Sequence, residues 1–107
     1  MHKEMPFSKE ATKTETLSLV LFRTEWNGAC QIVSMIYRRL AKSYKDKVIF
    51  FTVEFEKEPI LSKEFGIVEV PAILFFKNGT LIDHAVGLTS KNTLISKIES
   101  ALNPINK

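Results

Sequence analysis

Cys30, the only cysteine of this chain, is the residue best suited by type and position to act as a nucleophile. It lies in the segment EWNGACQIV at 25–33. A helix is predicted to begin close to it, after Asn27, and a helix N-terminus stabilises a thiolate. Two-thiol disulfide reduction needs one thiol that attacks and a second that resolves, so a single cysteine excludes it. The same count excludes an internal disulfide and a multi-cysteine metal site. Cys30 is therefore either a lone nucleophile that works with an external thiol or a small apolar residue packed in the core.

The other candidate side chains carry weaker signals. Trp26 lies in the same loop, where a large aromatic residue either anchors a binding partner or covers the end of a sheet. His84 lies within a predicted strand and is expected at the surface. Glu54 and Glu56 alternate with Phe55 at the end of another strand and are typical of solvated edge residues. None of these residues has the spacing of metal ligands, so no metal site is predicted.

Length and composition indicate one globular domain. The chain has 107 residues, of which 45% are hydrophobic and 25% charged, with a formal net charge of +3. The one basic-rich segment, 37–47, has the spacing of a solvated helix face and no aromatic platform, so nucleic-acid binding is not predicted. No apolar run approaches the roughly 18 residues of a membrane span, and no signal-peptide core is present, which favours a cytoplasmic location and no membrane contact. No oligomeric state is predicted.

A strand-helix-strand unit is predicted in the first half of the chain. The runs at 17–22 and 48–55 are typical of strands covered on both faces. Between them, apolar residues at helical spacing predict a helix over about 29–44, with Asn27 as its cap. The predicted inward stripe consists of Ile32, Ile36 and Leu40, with Val33, Tyr37 and Tyr44 alongside.

A second helix, a hairpin and a last helix follow. The segment at 58–66 starts with Pro59 at the first helical position and ends at Gly66. Two apolar strands around an Asn-Gly pair predict a hairpin at 72–86, and 90–102 is predicted to be a helix capped by Ser90 or Thr89. The domain is thus expected at 17–103, preceded at 1–16 by a tail or a short helix over 8–15.

The order β-α-β-α-β-β-α and three segments together resemble the thioredoxin family. LVLFRTEWNGAC resembles the active-site strand and loop, whose signature is Trp-Cys-Gly-Pro-Cys, and FGIVEVPAILFFKNG resembles the segment that carries the cis-proline. VGLTSKNTLISKIESAL resembles the last strand end and helix. The resemblance implies a three-layer α/β/α fold with a mixed central sheet, and it implies a cis peptide bond at Val70-Pro71 beside the active-site loop.

The chain departs from the family's pattern at the positions that the resemblance aligns with catalytic residues. Asn27 stands where the family has its attacking cysteine, so Cys30 corresponds to the resolving one. Ala29 replaces the proline between the two cysteines. Leu21 stands where the family has a buried aspartate, and Arg23 replaces a tryptophan.

Two functions remain open on these residues. The first is a non-catalytic module that binds an extended peptide or a partner protein. Its groove would be formed by the loop and the cis-proline, and Val70 would offer backbone hydrogen bonds in strand addition. The second is a single-cysteine thiol-disulfide oxidoreductase in which Cys30 works with an external thiol such as glutathione; no resident cofactor is predicted. Exposure of the Cys30 sulfur distinguishes the two. The groove residues are Trp26, Asn27, Gly28, Ala29, Val70 and Pro71.

Overall fold

The computed structural model describes residues 7–103. Four strands and three helices alternate in the predicted order, with 3₁₀ turns at Lys9–Thr12 and Phe55–Lys57. The elements are β1 (Leu17–Arg23), α1 (Gly28–Ser43), β2 (Val48–Glu54), α2 (Pro59–Glu64), β3 (Ala72–Lys77), β4 (Thr80–Val86) and α3 (Lys91–Leu102).

The sheet is mixed and has the strand order β2-β1-β3-β4. β1 and β2 are parallel because the α1 crossover joins them. β3 runs antiparallel to both β1 and β4. The turn between β3 and β4 consists of Asn78 and Gly79, both at positive φ, which is the backbone that a two-residue hairpin requires. The predicted α/β class and the mixed sheet are confirmed.

Two apolar clusters cover the two faces of the sheet and make three layers. Helices α1 and α3 pack on one face, where Leu19, Leu21 and Phe75 from the strands meet Val33 and Leu94 from the helices. The other face carries a cluster around Phe22, Phe51 and Leu74, covered by Leu61 and Phe65 of the α2 region and by Phe7. β1 is central and buried through Phe22, as its continuous apolar run predicts.

The inward face of α1 differs from the predicted stripe at one position. Val33, Tyr37 and Leu40 are buried as predicted, and Ile36 and Tyr44 pack against the core, but Ile32 is 50% exposed. Cys30 and Ser34 are buried in addition. The helix is therefore turned so that the 33/37/40 row faces the sheet. The Tyr37 hydroxyl then lies 3.0 Å from the carbonyl oxygen of Leu19 and 2.7 Å from that of Phe51, where it can donate to β1 or β2. These polar contacts and the apolar packing of Val33 and Leu40 hold the 33/37/40 row against the sheet.

The described part of the N-terminal segment packs against the domain. Residues 9–12 form a 3₁₀ turn, shorter than the helix predicted over 8–15. The Gly79 amide donates to the carbonyl of Thr12, and the Asn78 amide donates to that of Thr14. The ring of Phe7 lies 5.2 Å from that of Phe51. Residues 7–14 thus bind the turn of the hairpin and cover part of one face of the core. The division of the chain at residue 16 stays a prediction.

A tyrosine–carboxylate contact ties the end of α1 to α3. The Tyr44 hydroxyl donates to Oε2 of Glu99 at 2.6 Å. This hydrogen bond, then partial burial and the repulsion of the Glu99 charge, raise the pKa of Tyr44 to about 12 from 10.0.

We expect a corresponding loss of stability in strong alkali. Because the folded pKa of Tyr44 lies above the unfolded one, its contribution is fully present below pH 10 and is lost as the pH rises towards 12. The free energy of unfolding should therefore fall more steeply between these values for the unmodified protein than for Tyr44→Phe, measured by urea titration. Parallel curves for the two proteins would contradict the assignment.

Candidate functional site

Four chain segments meet at one end of the sheet. The register pairs Phe22, near the end of β1, with Ala72, at the start of β3. It also pairs Ala72 with Val86, at the end of β4. The loop after β1, the segment before β3 and the turn after β4 therefore lie at the same end, and the end of parallel β2 joins them. The predicted loop and proline are thus brought to one place.

The Val70-Pro71 peptide bond is cis. The carbonyl of Pro71 accepts a 2.7 Å hydrogen bond from the amide of Gly87, which ties the start of β3 to the turn after β4. Gly87 has φ +81°, a conformation that side chains rarely adopt, which explains a glycine at this turn. Contact between Pro71 and the 27–30 loop stays a prediction.

Cys30 lies in the first turn of α1 and is completely buried, with 0% of its surface exposed. Its backbone amide donates a 3.0 Å hydrogen bond to Oδ1 of Asn27. A thiol is a small, weakly polar group and is among the groups most often buried in protein interiors. In this structure Cys30 is a packed residue, not an exposed thiol.

Asn27 is the N-cap of α1, as predicted. Its backbone is extended, its side chain receives the Cys30 amide, and its carbonyl receives the Gln31 amide at 3.1 Å. The amide side chain at position 27 therefore satisfies a helix-end donor that would otherwise have no partner in the helix. Asn27 therefore has a structural role as the cap of α1.

Removing this cap should destabilise the fold without altering the core. We expect Asn27→Ala to lower the free energy of unfolding by about 1 kcal/mol, and Asn27→Ser to lower it by less, because a serine oxygen accepts the same amide. Thermal and urea unfolding measure both. A loss as large for serine as for alanine would show that the cap is not the cause.

Trp26 is the most prominent side chain of the loop, with 88% of its surface exposed. The loop beneath it is held by the Gln31 side-chain amide, which donates to the carbonyl of Glu25 at 3.2 Å. A Cβ placed on Gly28 would meet no atom within 4 Å, so the space above the loop is open. The indole is therefore presented to solvent on an anchored loop.

Two further apolar side chains are exposed in the segments that meet here. Val68, before β3, is 92% exposed, and Leu88, after β4, is 65% exposed. Val70 is half-buried. Exposed apolar residues are ordinary when scattered, but several in converging loops are typical of a binding surface.

Arg23 forms a contact that was not predicted from the sequence. Its Nη1 lies 2.9 Å from Oε2 of Glu54, and its Nε donates to Oγ of Ser34 at 2.9 Å. Glu54, predicted to be a solvated edge residue, is instead half-buried in this ion pair. The pair joins the ends of β1 and β2 to α1 directly below the loop. The sequence holds no local signal for this pair, because Arg23 and Glu54 become neighbours only through the register of β1 on β2.

Glu56 keeps the exposure predicted for it, but it has a hydrogen-bond partner. The Thr24 hydroxyl donates to its carboxylate. This hydrogen bond lowers the pKa of Glu56 below its ordinary value, so the side chain stays charged at neutral pH.

The described residues contain no group of three or more His, Cys, Asp or Glu side chains that could hold a metal ion. His84 is exposed, as predicted. Within 7–103, no helix is long and apolar enough to cross a membrane. Leu21 is buried and packs in the same apolar cluster as the inward residues of α1.

Sequence comparison finds proteins similar to this chain over most of its length. The family model described as Thioredoxin matches residues 1–100. A thioredoxin of Rickettsia felis is 33% identical over 96 residues, which cover 90% of this chain and 91% of that protein. A chloroplastic M-type thioredoxin of Pisum sativum is 36% identical over 86 residues, 80% of this chain and 50% of that one.

A solved structure agrees with the sequence comparisons. The thioredoxin of Malassezia sympodialis superimposes with a TM-score of 0.80 at 28% identity, over 87% of this chain and 81% of that one. The family model spans nearly all of the strands and helices, and the chain belongs to the thioredoxin family.

Proposed function

We propose that this protein is a thioredoxin-family domain that binds an extended segment of a partner protein without two-thiol redox turnover. The observation that carries the proposal is that the loop presents no reactive thiol to solvent. The position of the attacking cysteine holds a helix-capping asparagine, Asn27, and the remaining thiol, Cys30, is fully buried. What the loop offers to solvent is an indole and a backbone, which are groups that bind rather than react.

Strand addition is the mode of binding that the fold supports. β3 begins at Ala72, so the backbone of Val70 lies outside the sheet ladder described above. A segment laid beside Val70 could form main-chain hydrogen bonds there. Its side chains would then meet Trp26 on one flank and Val68 or Leu88 on the other, all of which are exposed. A cytoplasmic location is part of the same proposal.

The single-cysteine oxidoreductase has less support. In that reaction the Cys30 thiolate attacks one sulfur of a disulfide, forms a mixed disulfide and expels the other sulfur as a thiolate. A glutathione thiolate then attacks the Cys30 sulfur and expels the substrate's second thiolate, and a second glutathione regenerates Cys30 by leaving as glutathione disulfide. The attack requires the two sulfur atoms to approach each other along the disulfide axis. A thiol with no exposed surface cannot be reached in this way unless the first turn of α1 opens.

The test is a chemical-shift titration of the ¹⁵N-labelled protein with the extended peptide acetyl-Ser-Val-Ser-Val-Ser-Val-amide, which has no thiol. We expect shifts at the Trp26 indole N–H, at Val70 and at Gly87. The matched control is the same peptide with alternate backbone nitrogens methylated, which removes its strand-pairing donors and should weaken binding. Shifts that are absent at millimolar peptide, or that cluster away from this end of the sheet, would overturn the proposal.

A further inference from the structure

The end of the sheet that carries the loop has the opposite charge to the chain as a whole. The converging segments 23–30, 54–58, 66–71 and 86–89 hold five carboxylates and two cations, a net charge of −3, whereas the whole chain has a net charge of +3. The basic residues are concentrated elsewhere. A partner that approaches this end therefore meets a negative local field on a positive molecule.

Two adjoining hollows lie within this acidic end. One, of about 330 Å³, is lined by the Trp26 indole together with Glu25, Glu54, Glu56 and Lys57. The other, of about 530 Å³, is lined mainly by apolar groups, including those of Pro59, Ile67 and Val68, and its two charged residues are Glu56 and Lys63. Glu56 lines both hollows, so they are neighbours on one surface.

The charges in the smaller hollow are not all equally available. Glu54 is neutralised by Arg23 at 2.9 Å. Glu56 accepts a hydrogen bond from Thr24, a neutral donor that orients the carboxylate and leaves its charge in place. Glu25 forms no ion pair within the described residues. Glu25 and Glu56, which form no ion pair within the described residues, line the same hollow as the exposed indole. Lys57 lines it too, and the charges of Arg23 and Lys57 both act on Glu56.

We propose that the segment bound at this site carries a lysine or arginine side chain, which lies against the Trp26 indole between Glu25 and Glu56, beside an apolar side chain that enters the larger hollow. This inference rests on the proposed function and specifies the class of partner. The face of an indole attracts a cation through its quadrupole, and the flanking carboxylates add charge complementarity. The indole face and the carboxylates both disfavour an acidic side chain. The site would therefore select a basic segment by attraction and reject an acidic one by repulsion.

Binding at this site can be followed by tryptophan fluorescence, because Trp26 is the only tryptophan in the sequence. Its fluorescence can be titrated with three peptides of the form acetyl-Ser-Val-X-Val-Ser-Val-amide, in which X is Lys, Gln or Glu. We expect the Lys peptide to bind roughly five-fold to ten-fold more tightly than the Gln peptide, and the Glu peptide to bind most weakly. The preference should shrink as the salt concentration rises.

The matched variants are Glu56→Gln and Glu15→Gln. Glu56 lines both hollows, whereas Glu15 is exposed and precedes β1, at the far end of the sheet. Glu56→Gln should reduce the preference for Lys over Gln to less than about two-fold, and Glu15→Gln should retain it. Equal affinity for all three peptides, or a preference unchanged by Glu56→Gln, would overturn this inference and leave the proposed function standing. Binding of none of the peptides would overturn both.

Discussion

Disulfide reduction should stay at background for the unmodified protein and rise at least ten-fold above it for Asn27→Cys, in an insulin assay with dithiothreitol as reductant. The unmodified chain has one thiol, so it cannot both attack a disulfide and resolve the mixed disulfide that results. Cysteine at 27 restores the Cys-Gly-Ala-Cys spacing at the N-terminus of α1, where the helix end favours a thiolate. Position 27 is partly exposed, so the new thiol is reachable.

The gain should be partial. Leu21 leaves an apolar group where a carboxylate would take up a proton, and the substitution also removes the Asn27 cap, at a cost of about 1 kcal/mol. Asn27→Ser is the control, since it retains a cap and adds no thiol. Activity of the unmodified protein that disappears in Cys30→Ser would contradict the expectation and promote the single-cysteine oxidoreductase. Equal rates for Asn27→Cys and Asn27→Ser would show that position 27 cannot serve as the attacking site.

Alkylation of Cys30 by iodoacetamide should be roughly 100-fold slower in the folded protein than in denaturant at the same pH. The residue has no exposed surface, so the reagent reaches the sulfur only when the first turn of α1 opens. A local opening that costs about 3 kcal/mol reduces the reactive population by about this factor. The rate should therefore follow conditions that destabilise the helix start, and Asn27→Ala should accelerate it.

A matched exposed thiol calibrates this experiment. Ile60, in α2, is 85% exposed, so Ile60→Cys in a Cys30→Ala background should be alkylated in the folded state at nearly the denatured rate. A folded Cys30 rate within five-fold of the denatured rate would contradict the burial of this thiol.

The elements of the fold could be predicted because their signals are local. The Asn78-Gly79 turn requires two residues at positive φ, and the sequence places the two residue types that tolerate this next to each other. β1 reads as a continuous apolar run because helices cover both faces of the sheet at that strand. In the same way, Asn27 and Ser90 are recognisable as caps from residue type and position.

What could not be predicted depends on contacts between distant residues. The Tyr37 hydroxyl contacts two strand carbonyls that come together only in the folded sheet, and apolar periodicity alone could not show that Ile32 is exposed while Val33 is buried. The Arg23–Glu54 ion pair requires the register of β1 on β2. Burial of Cys30 likewise depends on how α1 sits on the sheet, and the position of this residue in the sequence is equally compatible with an exposed thiol.

Peptide binding by the Cys30→Ala variant tests most directly whether this site works without its thiol. The measurement is the dissociation constant for acetyl-Ser-Val-Lys-Val-Ser-Val-amide, obtained from Trp26 fluorescence for the variant and for the unmodified protein under reducing conditions. Because the thiol is buried and is not expected to contact the peptide, the dissociation constants of the variant and of the unmodified protein should agree within about two-fold. A loss of ten-fold or more in a variant that unfolds at the same urea concentration, or the absence of binding to the unmodified protein, would contradict a groove that functions independently of Cys30.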